Sequence, residues 1–162
     1  MLSNVVPYPP HGGVQLRVYN LLTRIAAWHD VTVGCHAWSA DDVESAALLQ
    51  RSGIPTVVAP LGPAGWRHVL PALGTMLAGR PPEVAQYFSP TLRDLVARGG
   101  YDVIQVEEPL LAAYVDRRRT RARTILTFHN VHHVQARRIA RLEKEAWRRT
   151  WRRANARWMR HY

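Results

Sequence analysis

A chain of 162 residues, 47% apolar and 9% aromatic, can bury a core of its own and fits one domain, which excludes the disordered and collagen-like classes. It has no apolar run of about eighteen residues to span a bilayer, and Met1 to Pro10 lack the charged start and apolar stretch of a secretory leader. The net charge of +10 is unevenly placed: seven Lys and Arg face ten Asp and Glu up to Asp116, and fifteen face two from Arg117 onward.

Taken in order, the chain alternates short apolar runs with helix-like stretches, which predicts an α/β domain with a mainly parallel sheet. Leu2 to Val6 reads as the tail of a strand. Val14, Val18, Leu21, Leu22 and Ile25 recur at helical spacing, so a helix is expected over 14–28. Val31 to Trp38 reads as a second strand, and Ser39 with Asp42 forms a capping-box-like start for a helix ending near Gly53. Pro55 to Ala59 is a third strand. The Pro- and Gly-punctuated stretch 62–79 holds a short helix. Ser89-Pro90 is expected to cap a helix from Pro90 to Arg98, closed by Gly99-Gly100. Asp102 to Val106 is a fourth strand, followed by a helix near Leu110 to Val115, and Thr124 to Phe128 is a fifth. From about Val131 the remainder reads as one long helix.

In that last helix Trp147, Trp151, Ala154 and Trp158 recur at spacings of 4, 3 and 4. The stripe is an ordinary amphipathic seam, facing a core or a partner, rather than a base-stacking platform. Basic residues on the rest of the helix are compatible with peripheral docking on an anionic membrane. The basic segment from Arg117 would attract phosphates on nucleic acid, lipid or nucleotide sugar, or be a solvated helix face. A basic nucleic-acid-binding α/β module is the alternative overall reading. It is disfavoured because the tail lacks a recognisable reading motif and is interrupted by the fifth strand, so no nucleic acid partner is expected. Cys35, the lone cysteine, sits in an apolar run and reads as a buried small hydrophobe. The first strand reads as truncated and the last helix runs to the end without a cap, so the domain spanning 1–162 is expected to be incomplete at both ends.

Ligands in such folds bind beyond the carboxyl ends of the strands, near the point where strand order reverses. One candidate there is Pro7-Tyr8-Pro9-Pro10-His11-Gly12-Gly13, where the glycines either let the backbone approach a phosphate at a helix amino-terminus or serve a tight turn. It is not the dinucleotide fingerprint, since no third glycine follows at the required offset. A second is His129-Asn130-Val131-His132-His133 after strand five, where His129 can act as hydrogen-bond donor or proton carrier. A metal site on the three histidines is the weaker reading, because no carboxylate or Cys lies near them in sequence. A third is Glu107-Glu108 at the end of strand four, either a solvated pair or a hydroxyl-binding carboxylate. No Asp-x-Asp, Gly-x-Ser-x-Gly or Walker-type motif is present.

Together, Pro7-Tyr8-Pro9-Pro10 with Gly12-Gly13, Arg17, Asn20-Leu21-Leu22 and His29-Asp30-Val31-Thr32-Val33 resemble the opening of family-4-like glycosyltransferases. Tyr101-Asp102-Val103-Ile104-Gln105-Val106-Glu107 and Leu126-Thr127-Phe128-His129-Asn130-Val131-His132 resemble that family's later strand-end motifs. The resemblance implies a GT-B arrangement of two Rossmann-like domains, of which this would be the amino-terminal, acceptor-side one, with the donor-binding domain absent. It further implies a retaining, metal-independent transfer of a hexosyl-type group from a nucleotide sugar to a glycan or lipid-linked acceptor, with no cofactor. In this pattern Gly12 and Gly13 approach the donor phosphates and His129 contacts the transferred sugar, while Arg17, Glu107 and Asn130 are acceptor or cleft residues. The expected setting is polysaccharide biosynthesis in the cytoplasm, at the inner membrane face, and the chain alone is expected to catalyse no transfer.

Overall fold

The apolar runs become five parallel strands, and the computed structural model describes residues 1–61, 69–81 and 83–161. The strands are β1 (Leu2–Ser3), β2 (Val33–Ala37), β3 (Thr56–Pro60), β4 (Val103–Val106) and β5 (Arg123–Leu126). They pair in the order β3-β2-β1-β4-β5, all parallel, which is the Rossmann-like order. The order reverses between β1 and β4, with Leu2 opposite Val106.

Helices α1 (Gly13–Ile25), α2 (Ala40–Arg51) and α5 (Pro90–Ala97) and a 3-10 helix (Pro109–Tyr114) belong to the same unit as the sheet. Strand alternation sends successive side chains to opposite faces. Val33, Cys35 and Ala37 of β2 join Leu22 of α1 and Ala46 and Leu49 of α2 in one core. Leu2, Ala59, Ile104 and Val106 join Leu92, Leu95 and Val96 of α5 and Leu111 and Tyr114 in the other. Gly34 faces the second core, where a Cβ would lie 2.8 Å from Leu95 and 3.0 Å from both Leu2 and Leu92. Only a residue without a side chain lets α5 come so close to β2.

A second unit holds α3 (Val69–Leu77), α4 (Glu83–Gln86), α6 (His132–Leu142) and α7 (Ala146–His161). Within it α3 packs on α4 and α6 on α7. The α7 side chains Asn155 and Trp158 reach back to Glu83 and to the Gly79 carbonyl, the latter at 2.9 Å.

Most expectations hold to within a few residues. Ser39 caps α2 as expected: its Oγ accepts from the Asp42 amide at 3.2 Å, and Asp42 accepts from the Ser39 amide at 3.0 Å. The expected helix at 62–79 is found from Val69, and 62–68 lie outside the described residues. Gly99 and Gly100, at φ +70° and +79°, end α5 in the left-handed region.

Three expectations need correction. Strand one pairs only over Leu2–Ser3, because Ser3 Oγ donates to the Val5 carbonyl at 2.7 Å and turns the chain out of the sheet. Ser89 makes no side-chain cap; instead its amide donates to Tyr114 Oη at 2.6 Å. The single long helix from Val131 is two, broken where Glu143 takes an extended conformation (ψ 125°) and α7 folds against α6. Of the tryptophan stripe, expected to face a core or a partner, Trp147 and Trp151 are 65% and 47% exposed and Trp158 donates to the Gly79 carbonyl, while Asn155 and Ala156 take the buried face of α7. No described helix is long and apolar enough to cross a membrane.

Candidate functional site

In sheets of this order the ligand crevice lies beyond the carboxyl ends of the strands where their order reverses, here between β1 and β4. The loops that follow these two strands belong to the first unit. From β1 the chain runs through Asn4 and a cis Tyr8–Pro9 peptide to Gly12, the N-cap of α1. Gln15 clamps this loop at both ends: its Oε1 accepts from the Gly12 amide at 3.0 Å and its Nε2 donates to the Val6 carbonyl at 3.3 Å. Neither Gly12 (φ −113°) nor Gly13 adopts positive φ, so the pair does not serve a left-handed turn. A Cβ on Gly13 would meet nothing within 4 Å. The amino end of α1 is therefore open to approach, and no carboxylate occupies its first turn. Backbone N–H groups and the positive end of the helix dipole are available there to an anion.

Beneath the loop lies a buried ion pair. Alternation places Gln105 and Glu107 on the α1 side of the sheet, opposite Ile104 and Val106 in the α5 core. Glu107 is fully buried, and its Oε2 accepts from Arg17 Nη1 at 2.5 Å while Oε1 accepts from Gln105 Nε2. Desolvating a carboxylate is costly unless it is paired and hydrogen-bonded, and here both oxygens are engaged. Glu108 is also buried, at 4% exposure, so the solvated-pair reading of Glu107-Glu108 does not hold. Of the six candidates from sequence, Arg17 and Glu107 are thus joined directly, tying α1 to the end of β4. Gly12 and Gly13 open the same helix.

His129 and Asn130 lie in the segment between β5 and α6, which belongs to the second unit. His129 is half-buried and Asn130 exposed. Among the described residues no group of three His, Cys, Asp or Glu gathers in a way that could hold a metal ion. Cys35 is fully buried, and burial, with the Asp42 carboxylate nearby, pushes its thiol up to about 12, which removes it as a nucleophile.

Sequence reading missed the wall beside the crevice. Trp38, just past β2, donates from Nε1 to the Asn4 carbonyl at 2.8 Å and meets the Tyr87 ring edge-on at 5.8 Å between centroids. The Asn4 Oδ1 is buried and has no protein hydrogen-bond donor among the described residues, an acceptor left open at the end of β1. Behind them His36 is fully buried, its Nε2 3.5 Å from Tyr114 Oη, and burial lowers its pKa to about 4. Tyr114 also donates to the Tyr87 carbonyl. Of these residues only Asn4 and Trp38 carried a sequence signal, their position just past β1 and β2.

The comparisons agree with this topology. No curated protein and no solved structure matches the chain. The model of Glycosyltransferase Family 4 matches residues 11–161, which runs from the loop before α1 through the end of α7. An open helix amino-terminus beside a Rossmann-like strand reversal, within a sequence that fits this model almost throughout, places the chain in glycosyltransferase family 4.

Proposed function

We propose that this chain is the acceptor-side domain of a retaining, sugar-nucleotide-dependent glycosyltransferase of GT-B arrangement, acting with a second, donor-binding Rossmann-like domain. The observation that carries the reading is the open amino end of α1 at the strand reversal of a family 4 domain. In glycosyl transfer the bond between the anomeric carbon and the diphosphate oxygen breaks, the acceptor hydroxyl oxygen bonds to that carbon, and the hydroxyl proton leaves. Negative charge grows on the departing diphosphate. Preorganised N–H donors and a helix dipole stabilise that charge without reorganising. The Gly13 amide and the positive end of the α1 dipole are what we assign to this task; Gly12, whose own amide is held by Gln15 Oε1, lets the backbone pass close to the phosphates.

Arg17 and Glu107 act as positioning residues in this scheme. Their ion pair fixes α1 against β4, so the Gly13 amide keeps its aim. We assign His129 to a hydrogen bond with the transferred sugar and Asn130 to the same cleft. The product would be a cell-surface glycan or glycolipid, made from a glycan or lipid-linked acceptor at the cytoplasmic membrane face. In this reading the nucleotide sugar is held mainly by the donor-binding domain, so this chain alone would transfer nothing.

The test supplies a family 4 donor-binding half, fused or co-expressed, and measures transfer from a labelled nucleotide sugar. His129→Ala is expected to lower the rate by about a hundredfold, the size of effect of a positioned proton or hydrogen-bond donor. Undiminished transfer by that variant would remove His129 from the reaction. Inversion at the anomeric carbon of the product would overturn the retaining assignment.

A further inference from the structure

The second unit carries a site of its own. Arg137 and Arg141 sit one turn apart on α6, and Arg153 and Arg157 one turn apart on α7, so each pair shares a helix face. The packing of α6 on α7 brings the two pairs together, and all four side chains line one pocket of about 410 Å³. Neither helix contains an Asp or Glu. The two carboxylates in the connection are taken by other arginines: Glu143 Oε2 lies 3.1 Å from Arg152 Nε, and Glu145 Oε2 lies 3.0 Å from Arg148 Nε. Among the described residues, none of the four pocket arginines has an ion-pair partner.

Four guanidinium groups turned into one concavity without a counter-charge repel one another and raise the local potential. Bound anion relieves that repulsion. Guanidinium groups match phosphoryl oxygens with paired N–H donors, so a pair on one helix suits one phosphoryl group and two pairs suit two. The volume holds roughly a dozen waters at about 30 Å³ each, room for a diphosphate with its linking atoms. We propose that Arg137, Arg141, Arg153 and Arg157 form a diphosphate-binding site between α6 and α7. The inference does not depend on the transferase reading. A soluble diphosphate and a lipid with a diphosphate head group present the same chemistry to it.

Calorimetric titration of the full chain with inorganic pyrophosphate at low salt tests the soluble source. Flotation with phosphatidylcholine vesicles carrying a polyprenyl diphosphate, against vesicles carrying phosphatidylserine, tests the lipid source. The variants are Arg141→Gln and Arg157→Gln, with Arg148→Gln as control because its guanidinium is paired with Glu145. All three side chains are exposed, so circular dichroism should show each variant folded. The expected result is one saturable site, weakened as salt rises, with at least a tenfold loss in each pocket variant and little change in the control. Pocket-dependent binding in either arm supports the site, and the tighter arm names its source. Absence of saturable, pocket-dependent binding in both arms, or an equal loss in Arg148→Gln, overturns it; flotation counts as binding only where it exceeds that on the phosphatidylserine vesicles.

Discussion

Replacing Arg17 with Met keeps an unbranched apolar stem and removes the cation that holds Glu107. The carboxylate is fully buried, and it accepts from Arg17 Nη1 and from Gln105 Nε2. Breaking a fully buried pair costs about 3–5 kcal/mol, but the Arg17 side chain is 46% exposed, so water can replace part of what is lost. A charge-assisted hydrogen bond contributes about 1.5–3 kcal/mol, which sets the expected cost near 2 kcal/mol. For a chain of this size that corresponds to a fall in Tm of about 4–8 °C. The penalty arises from taking the cation away from a buried carboxylate rather than from lost packing, so neutralising the partner should relieve it. Urea unfolding of Arg17→Met, Glu107→Gln and the double variant measures this directly. The double variant is expected to be more stable than Arg17→Met alone, by about 1 kcal/mol. Loss of less than 0.5 kcal/mol in Arg17→Met, or simple additivity in the double variant, would refute the brace (thresholds set roughly by the additivity error between independent sites).

Other consequences are open to measurement. Gly34→Ala forces a methyl to within 2.8 Å of Leu95 and 3.0 Å of Leu2 and Leu92, and should destabilise by about 1–3 kcal/mol, read as a shift in the urea midpoint. His36 stays neutral in the fold down to about pH 4, whereas in the unfolded chain it binds a proton near its ordinary pKa of 6.5. The unfolded state therefore holds more protons between those values, so the His36 contribution is complete above about 6.5 and is lost as pH falls toward 4. At pH 5 the loss is about 2 kcal/mol, and His36→Gln should flatten that part of the stability profile. Cys35 should resist a disulfide reagent in the native chain and react fully in denaturant; rapid native labelling would contradict its burial.

What could be read before folding followed from how local each signal was. Ser39 and Asp42 are three residues apart, and the cap they form needs nothing else from the chain. Gly99 and Gly100 likewise mark the end of α5 by backbone conformation alone. The break between α6 and α7 left no such mark: no Pro or Gly occurs from Leu142 to Ala146, and the helices part because α7 turns back to pack on α6. For the same reason the arginine pocket is invisible in sequence, where its residues are a run of scattered basic positions on what reads as one helix. For the tryptophans, apolar spacing identified a face but not what covers it: Trp147 and Trp151 are exposed, and Asn155 and Ala156 occupy the buried side. At the crevice, motif position identified the glycine loop and Glu107. The Asn4–Trp38 contact spans 34 residues and arises only once β1 and β2 are paired.

The central claim concerns the open amino end of α1, and Gly13→Asp probes it most directly. A Cβ at Gly13 meets nothing within 4 Å and the residue has no positive φ, so aspartate fits without strain. A carboxylate in the first helical turn also favours folding, by about 0.3–1 kcal/mol through the helix dipole. The same carboxylate would sit where the proposed function puts a donor phosphate. In a transfer assay complemented with a donor-binding half, the variant should be at least as stable as wild type and lose transfer about a hundredfold, the scale of a lost oxyanion-type contact. A Gly13→Asp chain that remains folded and transfers sugar at the wild-type rate would contradict the account.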